Sequence, residues 1–251
     1  MTSIDARVSA SGTTHVGMKR SENQDNLLVA PELNLFVVAD GMGGHKGGET
    51  ASALAIKTIN DYFVTVAEAG RNVSPAEKLI EAIEAANTAI QAHGREEPSL
   101  AGMGTTTTAL YLTNGQLYLG QVGDSRAYLV HPRRIWQLTR DHSLVQEKLR
   151  AGLITRAQLK TDRMKNVITR SVGFENDVDV DLYHMQTHTG DVIVLCSDGL
   201  SGMVEDNQIL SIIEECVFAK NDVQAAARKL VEAANSNGGD DNVTAIVVRV
   251  S

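Results

Sequence analysis

Two kinds of apolar pattern divide the chain. Uninterrupted runs, Leu35, Phe36, Val37, Val38, Ala39 and Val192, Ile193, Val194, Leu195, Cys196, are the mark of strands covered on both faces. Each leads into an aspartate with glycine after it, Asp40 with Gly41 and Asp198 with Gly199. Other stretches carry helical spacing. Ala51, Leu54, Ala55, Ile59, Tyr62, Phe63 and Val66 predict a helix over 47–69. Leu79, Ile80, Ile83, Ala86 and Ile90 predict a second over 74–92, opened by a Ser74 cap, Pro75 in the first helical position and Glu77 in the third. Two further helices are predicted over 205–218 and 222–236. Strands are predicted over 26–30, 35–39, 104–112, 117–122, 126–130, 135–138, 178–187, 191–196 and 243–250, with Asn114-Gly115 as a tight turn.

Hairpins among these strands exclude a purely βαβ chain. The economical packing is α+β, a four-layer α-β-β-α sandwich of two antiparallel sheets flanked by helix pairs. Residues 139–172 are irregular and charged, with one short helix over 144–149, and a connection of that length is more often functional than passive.

Composition narrows the partners. At 251 residues and 43% apolar content, a single domain over 1–251 is expected. A formal charge of −8 repels polyanions and no basic patch offsets it, so nucleic acid is not an expected partner. Cys196 sits in an apolar run and reads as a core residue, and with Cys216 as the only other cysteine a disulfide framework is not expected. No stretch reaches the roughly 18 apolar residues of a membrane span, and the start Met1, Thr2, Ser3, Ile4, Asp5 lacks signal-peptide character. A cytoplasmic monomer without membrane contact is the expectation.

Asp40 and its glycines, taken alone, are equally consistent with a strand ending in a plain turn. Company changes the reading. Asp25, Asp40, Asp124, Asp198 and Asp241 all stand at or beside predicted strand ends with a turn residue adjoining. Gathered at one rim they would repel one another unless a cation joined them, and Mg2+ or Mn2+ suits carboxylate oxygen. Two such ions about 3.5–4 Å apart would generate a bridging hydroxide and neutralise a phosphoryl group. Arg20 could grip phosphate oxygens bidentately, against the alternative of a solvated surface arginine. His45 could protonate a leaving alkoxide, against the alternative of a solvated loop histidine. A P-loop ending at Lys46 would need glycine where Asp40 and His45 stand, and a dinucleotide fingerprint from Gly41 would need glycine at Lys46.

The ordered motifs Gly17-x-x-Arg20-x-x-Asn23-Gln24-Asp25, Val38-Ala39-Asp40-Gly41-Met42-Gly43-Gly44-His45, Gly104-Thr105-Thr106, Val122-Gly123-Asp124-Ser125-Arg126, Asp141-His142-Ser143, Thr169-Arg170-x-x-Gly173, Cys196-Ser197-Asp198-Gly199-Leu200 and Gly238-x-x-Asp241-Asn242-x-Thr244 resemble the metal-dependent protein phosphatases of type 2C, in particular the compact bacterial members. The resemblance implies a Mn2+ or Mg2+ centre hydrolysing phosphoserine and phosphothreonine in proteins. It implies that Asp40 bridges two core ions, that Asp198 and Asp241 complete the first, and that the Gly41 carbonyl joins the second. Asp25 would hold metal-bound water, and Asp124 with Asp198 a third, weaker ion. Arg20 matches the phosphate-binding arginine, and 143–168 the flap beside the substrate groove. Two departures stand out: Gln24 replaces a metal-associated glutamate of the animal members, and Met42 replaces their histidine, leaving His45 or water on the third ion as proton donor.

These residues admit three functions. The first is a phosphatase reversing a cytoplasmic serine/threonine kinase, with that kinase or its targets among the substrates. The second is an inactive phosphoprotein-binding module, which the complete aspartate set disfavours. The third is a hydrolase of small phosphate esters, which a phosphothreonine peptide compared with free nucleotides would distinguish.

Overall fold

A computed structural model describes residues 8–70, 72–159 and 161–251; residues 1–7, which include the polar start, and the side chain of His45 lie outside the described residues. One antiparallel sheet runs β1 (Val8–His15), β11 (Val243–Val250), β10 (Val192–Cys196), β7 (Arg126–His131), β8 (Arg134–Gln137). The other runs β2 (Asp25–Ala30), β3 (Leu35–Met42), β5 (Thr107–Thr113), β6 (Gln116–Val122), β9 (Asp181–Gln186), and β4 (Gly104–Thr105) pairs with the end of β3.

The uninterrupted runs are explained by what covers each face. In β3, Phe36 and Val38 meet Leu110, Leu119, Ile193, Leu195, Ile246 and Val248 in a core between the sheets. The alternate residues Leu35 and Val37 pack under α1 (Gly44–Glu68) and α2 (Pro75–Glu96) with Ala55, Ile59, Phe63 and Ile83. In β10, Ile193 and Leu195 point to the same middle core. Val192, Val194 and Cys196 face α5 (Asp206–Ile213) and α6 (Val223–Ser236), whose Ile209, Ile213, Leu230 and Val231 complete a third core. Each buried aliphatic side chain contributes about 1.5–3 kcal/mol. Three cores between four layers make the expected α-β-β-α sandwich.

Local chemistry sets the ends. Ser74 caps α2 through the backbone N–H of Glu77, whose carboxylate accepts from Ser74 N–H in return. Asn114 and Gly115, at φ 52° and 69°, form the tight turn between β5 and β6. Several boundaries differ from expectation: β3 runs on through Asp40 to Met42, α2 runs to Glu96 and β9 starts only at Asp181, and three further differences have a local cause. Helix α1 begins at Gly44, before the predicted Gly47, because its opening residues Gly44, His45, Lys46, Gly47 and Gly48 include no apolar residue, which leaves no hydrophobic period to read. The strand predicted over 104–112 is interrupted at Thr106, whose hydroxyl accepts from the backbone N–H of Asp40. The helix predicted to Phe218 widens into a π-helical turn over Glu214–Phe218, which buries the neighbouring Cys216 and Val217 together.

The irregular segment contains α3 (Leu144–Arg150) and a short 3-10 turn, Arg156–Gln158. An antiparallel bridge between Ser143 and Ile168 closes its neck, and Lys148 pairs with Asp162 at 3.0 Å within it. No described helix is long and apolar enough to cross a membrane. The short helix α4 (Asp198–Ser201) begins two residues beyond the end of β10.

Candidate metal centre and active site

Both sheets end at one cavity of about 530 Å³. Arg20, Gln24, Asp40, Gly41, Asp198 and Asp241 line it, and Asn166 and Ile168 border it from the flap. Asp25 lies across from Asp40 in the β2–β3 register, and Ser197 and Asp198 continue β10. Close backbone approach explains the glycines. A Cβ on Gly41 would stand 2.0 Å from the carbonyl oxygen of Gly48 in α1, and one on Gly199 1.9 Å from that of Asn242.

Asp40 is aimed by its backbone. Its N–H donates to Thr106 Oγ1 at 3.0 Å, and its carbonyl accepts from Thr105 Oγ1 at 2.9 Å and from Thr106 N–H at 2.8 Å. Asp25 is buried, and its Oδ2 accepts from Ser197 Oγ and Thr244 Oγ1, both at 2.7 Å. Its Oδ1, and Oδ1 of the buried Asp124, have no protein partner among the described residues. Asp241 Oδ2 accepts from Arg20 Nη2 at 2.7 Å, and its Oδ1 from Asn242 N–H at 2.8 Å.

Loss of solvent is the first cause of the electrostatics. It pushes the Asp25 carboxyl up to about 7, with Asp198 and Asp241 adding to the rise, and the Asp124 carboxyl up to about 8, with Asp198 and Asp141 adding. Asp40 lies well above the usual carboxylate range, from burial and then from Asp25, Asp198, Asp124 and Asp241. Asp198 is also raised by burial and by Asp241, while the neighbouring Asp40 and the charges of Arg20 and Arg126 oppose the rise.

The donor set fits hard divalent cations. It offers crowded carboxylates and two buried oxygens that have no protein partner among the described residues. Among the described residues no three His, Cys, Asp or Glu side chains already converge on one point. Asp241 is instead held by Arg20, and Asp25 by two hydroxyls.

All the aspartates named from the sequence thus belong to one neighbourhood, and Arg20 and Gly41 line the same cavity. His45 falls in the first turn of α1. Residues supporting the site without a role assigned from sequence are Ser197, Thr244, Thr105, Thr106 and Asn242. Asn242 accepts from Gln24 N–H at 2.8 Å and donates to the carbonyls of Val16 and Glu22, both at 2.9 Å, so it holds the loop that carries Arg20. The available signal was a hydroxyl residue inside or just past an apolar strand, as in Val243-Thr244-Ala245.

The family model described as Protein phosphatase 2C matches residues 11–235. The chain belongs to the protein phosphatase 2C family. It is 35% identical over 238 residues to the serine/threonine phosphatase stp of Listeria monocytogenes serotype 4b, covering 94% of this chain and 93% of that protein. It is 36% identical over 234 residues to the serine/threonine protein phosphatase PstP of Mycobacterium tuberculosis, covering 93% of this chain and 43% of PstP. The crystal structure of the M. tuberculosis phosphatase PstP/Ppp superposes with a TM-score of 0.88 at 33% identity, over 97% of this chain and 99% of that one. The PstP catalytic domain in complex with two manganese ions superposes at 0.84 with 33% identity, over 97% and 98%. A serine/threonine protein phosphatase of this family therefore carries the family's architecture around the cavity just described.

Proposed function

We propose that this phosphatase removes phosphate from phosphoserine and phosphothreonine in proteins, using Asp25, Asp40, Asp124, Asp198, Asp241 and the Gly41 carbonyl to hold divalent cations. The observation that carries the reading is the carboxylate cluster facing the cavity, in which oxygens of the buried Asp25 and Asp124 have no protein partner among the described residues. Asp40, Asp198 and Asp241 with Gly41 would hold two core Mn2+ or Mg2+ ions, and Asp124 with Asp198 a third. Bound there, the ions supply an activated water and neutralise charge on the phosphoryl group.

The chain's own groups do the rest. Arg20, at the cavity rim, binds the phosphate's non-bridging oxygens and orients phosphorus towards the cluster. Ser197 and Thr244 hold Asp25 by two hydrogen bonds to a single oxygen, leaving Oδ1 to orient water. His45, opening α1, donates the proton that the leaving seryl or threonyl oxygen needs. The flap over 143–168 borders the cavity through Asn166 and Ile168, and selects the polypeptide around the phosphoresidue. Residues 1–251 act as one catalytic domain, a cytoplasmic monomer whose substrates include a serine/threonine kinase or that kinase's targets.

The test is hydrolysis of a phosphothreonine peptide with Mn2+, with excess chelator, and by Asp40→Asn. Turnover requiring both metal and Asp40 supports the reading, and turnover by Asp40→Asn at the wild-type rate overturns the assignment of the centre. For His45→Gln, kcat should fall on the peptide and hold on p-nitrophenyl phosphate, whose leaving group needs no proton. Equal effects on both substrates would remove His45 from that role.

A further inference from the structure

The buried histidine at the neck of the flap has no place in the mechanism above, yet its hydrogen bonds converge on the residue before Asp124. His142 Nδ1 accepts from the backbone N–H of Gly123 at 3.1 Å, and His142 N–H donates to the Gly123 carbonyl at 2.9 Å. One residue therefore grips both backbone polar groups of Gly123. That glycine, at φ 105°, cannot be replaced by a bulkier clamp of its own, since a Cβ would stand 2.6 Å from Thr106. Asp124 comes immediately after, buried, with Oδ1 unpartnered.

The far side of the same imidazole faces the flap's base. Nε2 stands 3.3 Å from Asp181 Oδ2, within ion-pair reach but off a hydrogen-bond line. Asp181 is itself held by Arg170 Nη1 at 2.9 Å and by the Tyr183 hydroxyl at 3.1 Å. The His142 carbonyl accepts from Thr169 N–H at 2.8 Å, and Leu144 N–H donates to the Val167 carbonyl at 2.8 Å, so the two strands of the neck meet at this residue. Because Nδ1 accepts from an amide, the ring's proton must sit on Nε2, towards Asp181. Burial also pushes this imidazole's pKa down, which keeps it in the neutral form that can accept.

We propose that His142 is a positioning residue: as the neutral Nε2–H tautomer it locks the Gly123-Asp124 turn to the neck of the flap and so presets Asp124 for its cation. The inference rests on the reading of Asp124 as a cation ligand. Groups that orient ligands from behind typically change metal affinity by about 10–100-fold when removed.

Two substitutions separate the acceptor from mere volume. Asparagine can place an oxygen near the position of Nδ1, whereas glutamine reaches towards that of Nε2 and leaves Gly123 N–H unpaired. Mn2+ titrations by calorimetry should show the weakest class of sites loosened about tenfold in His142→Gln and within about threefold of wild type in His142→Asn. Equal loosening in both variants would assign His142 a purely structural role and overturn the proposal. An unchanged isotherm in His142→Gln, with an altered one in Asp124→Asn, would overturn the proposal alone. An unchanged isotherm in Asp124→Asn would overturn the reading of Asp124 and the proposal with it. Should His142→Gln fail to fold, long-range proton–nitrogen NMR of the wild-type protein decides the matter. The Nε2–H tautomer is expected, and a proton on Nδ1 would overturn the lock.

Discussion

Asp40 and Asp198 are delivered by one device built twice, once in each sheet. A strand buried on both faces leads to an aspartate, and a glycine beside it touches foreign backbone too closely for any side chain. The surroundings of the two aspartates differ. Beyond Asp40 comes the 25-residue helix α1, and the carboxyl is crowded by four others; Asp198 itself opens the four-residue α4, and Arg20 and Arg126 relieve the crowding. Equal delivery with unequal surroundings teaches that position and charge are set separately here. The strand and glycine place the carboxylate, and residues far away in the chain decide how much its charge costs.

Removing either carboxylate charge should break the pair most severely. Asp40→Asn and Asp198→Asn should each lower kcat by roughly a thousandfold or more, the several kcal/mol that metal-assisted charge stabilisation supplies. The difference between them should appear without metal, where Asp40→Asn raises Tm more than Asp198→Asn because it relieves more repulsion. Equal Tm gains would show the surroundings to be equivalent after all.

The glycines come next. Gly41→Ala and Gly199→Ala should each destabilise by about 3 kcal/mol or more, read from urea midpoints, because backbone must move to admit the methyl group. A variant with an unshifted midpoint would mean that its strand end yields more readily than the other.

A smaller, graded effect tests the shared charge. Carboxyls lifted from an ordinary 3.8 to about 7 at Asp25 and about 8 at Asp124 bind protons more tightly folded than unfolded. Their stabilisation is therefore complete below about pH 4 and is lost as pH rises through the window to about 8. Metal-free protein should gain Tm on going from pH 8 to pH 5, and saturating Mn2+ should flatten the dependence. A flat metal-free profile across that range would contradict the crowding.

Arg20 should give the smallest change. Its bond to Asp241 at 2.7 Å lies half-exposed, so its loss costs the fold little. Arg20→Ala should raise KM for a phosphopeptide, yet tighten Mn2+ by about two- to fivefold, since Asp241 no longer has to part from a guanidinium and a loss of 1 kcal/mol corresponds to about fivefold. Weaker Mn2+ binding in that variant would show that the pair helps to hold Asp241 in place.

Much of this was legible in the chain because it is local. Runs such as 35–39 and 192–196 announce strands covered twice, Ser74 and Glu77 announce a cap, and aspartates past strand ends announce a shared rim. Contacts between distant residues or between backbones stayed hidden. Asp25 meets Ser197 and Thr244 across 172 and 219 positions of sequence, which no local window spans. Gly48 of α1 lies backbone to backbone against Gly41, and the residues from Gly44 to Gly48 include no apolar one, so the periodicity that marks the rest of the helix begins too late. The grip of His142 on Gly123 was equally invisible, because a buried histidine in a charged segment looks like a solvated one until its neighbours are known.

Asn242 ties the opening loop to the final strand, and β1 lies along β11 over eight residue pairs. On the ribosome this arrangement has a timing consequence. Asp25 and Asp40 are synthesised well before the partners that complete their surroundings, Asp241, Asn242 and Thr244. Nascent chains ending before β11 therefore lack the Thr244 hydroxyl that holds Asp25 and the sheet edge for β1, and on the proposed assignment of the centre dephosphorylation should begin only once β11 has been threaded into place.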